Sequence, residues 1–318
     1  MPKVRLGIDL GGTRIKGGLV DEADKVLHTS SIETMAHKGA ACVVERIAMH
    51  IETLLETNHL TKADILSVGI GSPGIIDSGR GVVVYSNNLA WKDVAVVEML
   101  KKRIGMEVKI DNDANAAALG EVKFGSGKGL DSVVLVTLGT GVGSGIIIDG
   151  KIFSGTHGAG AELGHMIVAA DGNLCTCGQR GCLEAYASAT ALIAQTKDAL
   201  RKSPKSKLSM LVADWQAKGQ EIDYCKMIFE NCDKEDLAKQ VMESYAHSLV
   251  VGLVNIANIF RPQAILIGGG ISAQGENLRK RINQEFEKGV FGGAIGPRVE
   301  LRIATLKNDA GFMGAACL

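Results

Sequence analysis

Apolar and polar positions follow a repeating order along this chain. Val4 to Asp9 reads as a strand, Leu10 to Thr13 as a glycine turn, and Ile15 to Val20 as a second strand. The segment "DEAD" turns the chain again before a third strand from about Lys25 to Thr29. The three form an antiparallel meander. A helix follows from Ala40 to Asn58, because Val43, Ile47, Ile51, Leu54 and Leu55 recur on one face. An apolar strand lies in "ILSVGIGSPG", then come a loop, a helix from Val94 to Ile104, and a strand from Glu107 to Ile110. That last strand leads into "DNDANAAALGE", Asp111 to Glu121.

The pattern then restarts. "SVVLVTLGTGVGSGIIIDGKIF" (Ser132 to Phe153) is strand, glycine turn, strand, turn, strand, matching the opening meander feature by feature. Gly11, Gly12 and Thr13 correspond to Gly139, Thr140 and Gly141. An internal duplication of this kind implies two similar α/β domains facing one another. Residues 191–235 read as helical substructure on the second domain. Helices from about Lys234 to Ile259 lead into the strand "AILIGGG", Ala264 to Gly270, and the chain closes on a strand, a loop and a helix.

Charge narrows the partners. The 318 residues carry 35 basic and 35 acidic side chains, with no basic block, so neither nucleic acid nor anionic lipid is an expected partner. No apolar run is long enough to span a bilayer, and the N-terminus lacks a signal-peptide core. A reducing, cytoplasmic location is therefore expected, and there clustered cysteines seldom form disulfides.

Three glycine turns after apolar strands point to phosphate. Glycine lets backbone N–H groups approach and cradle phosphate oxygens. Gly11 and Gly12, Gly139 and Gly141, and Gly268, Gly269 and Gly270 are the candidates, with hydroxyls from Thr13 and Thr140. Lys16 is a candidate phosphate cation, although a solvated strand lysine reads the same. Asp9 ends its strand where it can hold magnesium through water, or simply cap the turn. In "DNDANAAALGE" an ordinary helix N-cap needs one of the three leading polar residues, not all three. Asp113, at a helix N-terminus, is expected to have a depressed pKa.

Cys175, Cys177 and Cys182, with His165 ten residues upstream of the first, supply three thiolates and an imidazole. That is a closed tetrahedral set for structural zinc, with Gly178 and Gly181 permitting the sharp turn. A disulfide would strand one thiol. Cys42, Cys225, Cys232 and Cys317 are scattered and read as buried small hydrophobes.

"DLGGTRIKGGLVD", "DNDANAAALGE", "LGTGVGSGIIIDGK", "GAELGH" and "CTCGQRGCLE" together resemble the ROK family of sugar kinases and sugar-responsive repressors. The resemblance runs from residue 4 to the C-terminus. It implies the actin-like ATPase fold: two ribonuclease-H-like α/β domains with a cleft between them. The expected domains are residues 1–118 plus 299–318, and residues 119–298. It implies transfer of the γ-phosphoryl group of ATP to a hexose hydroxyl with magnesium. It maps the catalytic base to Asp113 and a sugar-binding amide to Asn112. The positions matching Glu162, His165 and Glu184 contact sugar in the family's kinases, and Gly74 matches a close backbone approach. Asn87 is a further residue of the right type. The family's zinc motif matches His165, Cys175, Cys177 and Cys182.

The repressor branch carries a DNA-binding domain before the first glycine turn. Asp9 stands nine residues from the start, so none is expected here. "GSPGIIDSGRGVVVYSNNLAW" resembles the equivalent stretch of ROK kinases acting on glucose. Glucose is therefore the expected substrate, with N-acetylmannosamine, N-acetylglucosamine or fructose as alternatives and a non-catalytic sugar sensor behind them. A homodimer is expected by analogy.

Overall fold

The structure is a computed structural model that describes residues 3–293 and 295–318. The chain opens with β1 (Val4–Leu10), β2 (Arg14–Asp21) and β3 (Val26–Glu33), then α1 (Ala40–Thr57) and β4 (Ile65–Ser72). A small sheet of β5 (Ile75–Asp77), β6 (Val82–Ser86) and β7 (Trp91–Val94) precedes α2 (Val96–Ile104), β8 (Val108–Asn112) and α3 (Asp113–Phe124). Then come β9 (Val133–Leu138), β10 (Val142–Ile148) and β11 (Lys151–Ile152). Helices α4 (Glu184–Ala187), α5 (Ala189–Lys202), α6 (Lys207–Ala217), α7 (Tyr224–Asn231) and α8 (Asp236–Phe260) follow. The chain ends with β12 (Ala264–Gly268), α9 (Gly275–Gly289), β13 (Glu300–Ile303) and α10 (Ala310–Ala315).

Two five-stranded sheets share one plan. Their orders are β3-β2-β1-β4-β8 and β11-β10-β9-β12-β13, so each is a three-strand meander extended past its first strand by two later ones. In the first, β1–β2–β3 pair antiparallel while β4 joins β1 and β8 joins β4 in parallel. The duplication read from the glycine turns is thus a duplication of sheets.

The loop expected between β4 and the next helix is in fact the antiparallel sheet β5-β6-β7, and α2 starts at Val96 rather than Val94. Strands of three to five residues are too short to show alternation, yet Val83 and Trp91 bury themselves like any sheet core. The 191–235 segment is helical as expected, supplying α6, α7 and most of α5.

The chain divides into two compact units: Met1–Leu135, Ser144–Ala161 and Ala304–Leu318 form one, and Val136–Gly143 with Glu162–Ile303 the other. In the first, apolar β1, β4 and β8 residues pack with α1 and α2 in one core, including Leu6, Ile8, Ile47, Ile51, Ile70 and Leu100. Helix α10 packs on β1, β4 and α3. Fully buried Glu121 of α3 accepts from the N–H groups of Leu306 (2.7 Å) and Ser126 (2.9 Å), fastening α10's approach loop. In the second unit α8 packs against α4, α5, α7 and α9, and its buried Tyr245 donates to the Ala187 carbonyl at 2.8 Å. Among the described residues no helix is long and apolar enough to cross a membrane.

Candidate active site

In the first unit the site grows from strand ends. Asp9 sits near the end of β1, just before the turn in which Gly11 N–H donates to the Arg14 carbonyl at 2.9 Å. Two of the turn's carbonyls are occupied. Thr34 donates its hydroxyl to Gly11 O (2.7 Å) and its N–H to Thr13 O (2.8 Å). Gly12 packs against the backbone of Asn88, bringing the exposed Asn87–Asn88 loop beside the turn. Lys16 is held back: its Nζ meets Asp309 Oδ1 at 2.5 Å and the Asn308 carbonyl at 3.0 Å.

The "DND" triplet separates into three jobs at the β8–α3 junction. Asp111 is buried and structural, accepting from Asn112 N–H (2.7 Å), the Asn115 amide (2.8 Å) and the Ser78 hydroxyl (3.0 Å). Asn112 is the helix N-cap, its Oδ1 accepting from Ala114 and Asn115 N–H, while its amide donates to the Gly74 carbonyl at 3.1 Å. Gly74 has φ +114°, and a Cβ there would lie 2.1 Å from the Tyr85 carbonyl. Asp113 opens the helix, and Ala114 N–H donates to its Oδ1 at 2.8 Å.

The expected depression of the Asp113 pKa is not what the structure shows. Burial raises it, against opposing hydrogen bonds from Ala114 and Asn112. Loss of water around the carboxylate outweighs the hydrogen bonds that the helix start offers it. Asp9 is pushed up to about 6, first by burial and then by the negative charge of Asp113, with Lys16 opposing. Two neighbouring carboxylates, one raising the proton affinity of the other, are the kind of oxygen ligands that a divalent cation takes.

In the second unit the turn after β9 is pinned in the same manner. Ala189 N–H donates to Gly139 O (2.8 Å), and the Thr190 hydroxyl donates to Thr140 O (2.8 Å). Gly269, at φ +80°, lies against Leu138, so the glycines 268–270 abut the turn. Glu162 leads into a 3-10 turn, Leu163–His165, which sets it and His165 three residues apart on one side.

His165, Cys175, Cys177 and Cys182 converge, with all four ligand atoms within 4.8 Å of one another. Cys175 Sγ lies 3.7 Å from His165 Nδ1, and Cys177 Sγ lies 3.7 Å from Cys182 Sγ. A tetrahedral zinc with bonds of about 2.3 Å to sulfur has edges of roughly 3.8 Å, so the donor set fits the ion. All seven cysteines are free thiols. Of the four scattered ones only Cys232 is buried; Cys42, Cys225 and Cys317 are half-buried.

Glu184 stands beside this loop. Its Oε1 accepts from the Thr176 hydroxyl (2.9 Å) and lies 3.5 Å from Cys175 Sγ, while its Oε2 accepts from Val142 N–H (3.0 Å). A Cβ on Gly141 would fall 2.3 Å from that oxygen, so a larger residue there would have to displace the carboxylate. Thr176, Thr190 and Asp309 were missed from sequence. Thr176 alone had a signal, its place between two zinc-spaced cysteines.

The ROK family profile matches residues 5–318. The Thermotoga maritima glucokinase is 39% identical over 321 residues, covering 100% of this chain and 98% of the relative. The structure of a ROK family glucokinase from Streptomyces griseus with glucose and AMPPNP is 35% identical, with a TM-score of 0.79 over 99% of this chain and 98% of that one. A ROK family transcriptional regulator, a homologue of the E. coli MLC protein, has a TM-score of 0.84 at 27% identity, covering 99% of this chain and 77% of that one.

Proposed function

The chain belongs to the ROK family, and from that premise we propose that it is an ATP-dependent hexose kinase forming glucose 6-phosphate from glucose. The observation that carries this reading is the division of labour in the "DND" triplet. Asp111 is committed to structure and the Asn112 oxygen to the helix cap, which leaves Asp113 as a carboxylate of raised proton affinity at a helix start. In the proposed reaction the sugar hydroxyl oxygen bonds to the γ-phosphorus as the bridge to the β-phosphate breaks and ADP leaves. Asp113 orients the hydroxyl and takes its proton late. Burial makes it a better base than an exposed aspartate.

In this reading Asn87, Asn112, Glu162, His165 and Glu184, with the backbone at Gly74, hold the sugar. The three glycine turns with Thr13, Thr140 and Lys16 hold phosphates, and Lys16 must leave Asp309 to do so. Magnesium, which Asp9 would hold through water, would neutralise charge on the transferring phosphoryl group. His165 Nδ1 and the three Sγ atoms would hold zinc. Four protein ligands leave no open position, so that metal would serve structure. The protein would act in the cytoplasm on small molecules rather than nucleic acid, as a homodimer by analogy.

An ADP-release assay with magnesium and ATP tests this across glucose, N-acetylmannosamine, N-acetylglucosamine and fructose. The expected result is the highest kcat/KM for glucose. The likeness to a transcriptional regulator favours one second reading, a sugar sensor without catalysis. Glucose binding with no ADP released from any sugar would establish that reading instead.

A further inference from the structure

Thr176 has no part in the zinc set, yet its hydroxyl ends on the carboxylate proposed to hold sugar. Glu184 is reached from two directions. From the cysteine loop come the Thr176 hydroxyl and the Cys175 thiol, both on Oε1. From the second glycine turn comes Val142 N–H, 42 residues away in sequence, on Oε2. The segment just after Glu184 pins the same turn again through Ala189 and Thr190. One carboxylate therefore joins the cysteine loop to the turn proposed to hold phosphate.

A carboxylate offers about four acceptor positions. Thr176, Val142 and the Cys175 thiol use three. Once Cys175 is a thiolate ligand it no longer donates, and two positions open for sugar hydroxyls. Thr176 and Val142 then remain, one on each oxygen, and fix the plane in which the other two positions point. Without the Thr176 hydroxyl, Oε1 loses its anchor and the carboxylate turns about its last bond. Val142 alone cannot stop that rotation.

We propose that Thr176 is a positioning residue for sugar binding, acting through Glu184. The inference rests on the kinase reading above and adds a residue to it. Thr176 is exposed and contributes no ligand to the metal set, so replacing it leaves fold and zinc in place.

The experiment compares wild type, Thr176→Val and Thr176→Ser for steady-state kinetics with glucose and ATP, calorimetric glucose binding, and zinc content. Thr176→Val is expected to raise the glucose KM and Kd about tenfold, since a hydrogen bond to a charged group is lost. Its ATP KM is expected to stay within about twofold and its zinc content to match wild type. Thr176→Ser, which restores the hydroxyl, is expected to recover most of the affinity. A glucose Kd within twofold of wild type for Thr176→Val overturns the inference. So does loss of zinc in that variant, or failure of serine to rescue, because either makes the residue a loop-packing element. Wild-type protein that neither binds nor phosphorylates glucose overturns the kinase reading, and the inference with it; only that outcome touches the wild-type row.

Discussion

The two glycine turns, Leu10–Thr13 and Gly139–Gly141, are copies in sequence and near-copies in local bonding. Each has one carbonyl pinned by a backbone N–H and one by a threonine hydroxyl: Thr34 alone for the first, Ala189 and Thr190 for the second. With those carbonyls held and the Gly11 and Gly139 N–H groups bonded to Arg14 O and Gly141 O, the shape of each turn is fixed. What differs is the support behind them. The first turn is backed by Asp9, a carboxylate crowded by another carboxylate, and by Lys16 held on Asp309. The second is backed by Glu184 and, through Thr176 and Cys175, by the cysteine loop. A duplicated unit thus kept the bonding of its turn, while its two supports diverged into a pair of carboxylates with a lysine and a loop of three cysteines and a histidine.

The largest expected effect separates chemistry from both cradles. Asp113→Asn should lower turnover by roughly 10²–10⁴-fold while ATP affinity and zinc content stay near wild type. Turnover within a few-fold of wild type would remove Asp113 as the base.

Zinc loss should break the symmetry between the turns. Cys177→Ala, or a strong chelator, should empty the cysteine site and raise the sugar KM far more than the ATP KM. Amide hydrogen exchange should quicken around residues 139–142 and stay unchanged around residues 10–13. Equal quickening in both turns would show that the second is not specifically tied to the metal loop.

The first turn should respond instead to charge. Asp9 has a folded-state pKa of about 6, above its ordinary 3.8, so the folded protein binds that proton more tightly than the unfolded chain. Its contribution to stability therefore falls as pH rises between those values, and the penalty is complete above them. Asp9→Asn should stabilise the protein at neutral pH by on the order of 2 kcal/mol, allowing for the part of Asp9 that reaches solvent. The two melting temperatures should converge near pH 4, and the variant should lose magnesium-dependent turnover. A variant no more stable than wild type at pH 7.5 would contradict the burial argument.

The smallest effect compares two glycines of one turn. Gly141→Ala would force a methyl group to within 2.3 Å of Glu184, whereas nothing lies within 4 Å of a Cβ at Gly139. Gly141→Ala should cost about 1–3 kcal/mol and weaken sugar binding, and Gly139→Ala should cost little. Similar costs at both positions would mean that Glu184 swings aside freely.

Much of this arrangement was legible before any coordinates. The meander, the long helix α1 and the strand Ala264–Gly268 show because their apolar runs or faces are long. The duplication shows because a glycine turn between apolar strands is rare enough to be recognised twice. The cysteine spacing announces a candidate metal site because few other uses need three thiols and an imidazole so close together. The sheet β5-β6-β7 was hidden, since strands of that length leave no period to count. The pKa of Asp113 was read in the wrong direction. Its helix start is visible in sequence, but the neighbours that exclude water from it are not.

The sequence by itself determined most of the longer elements, how the unit repeats, and which side chains are chemically able to hold phosphate, sugar or zinc. Periodicity and residue chemistry are local properties, carried by residues a few positions apart. Tertiary structure decided which members of each motif remain available. It spent Asp111 and the Asn112 oxygen on the β8–α3 junction, parked Lys16 on Asp309, and stretched Glu184 between Thr176 and Val142. Those outcomes depend on burial and on distances between residues far apart in the chain, and packing alone sets both.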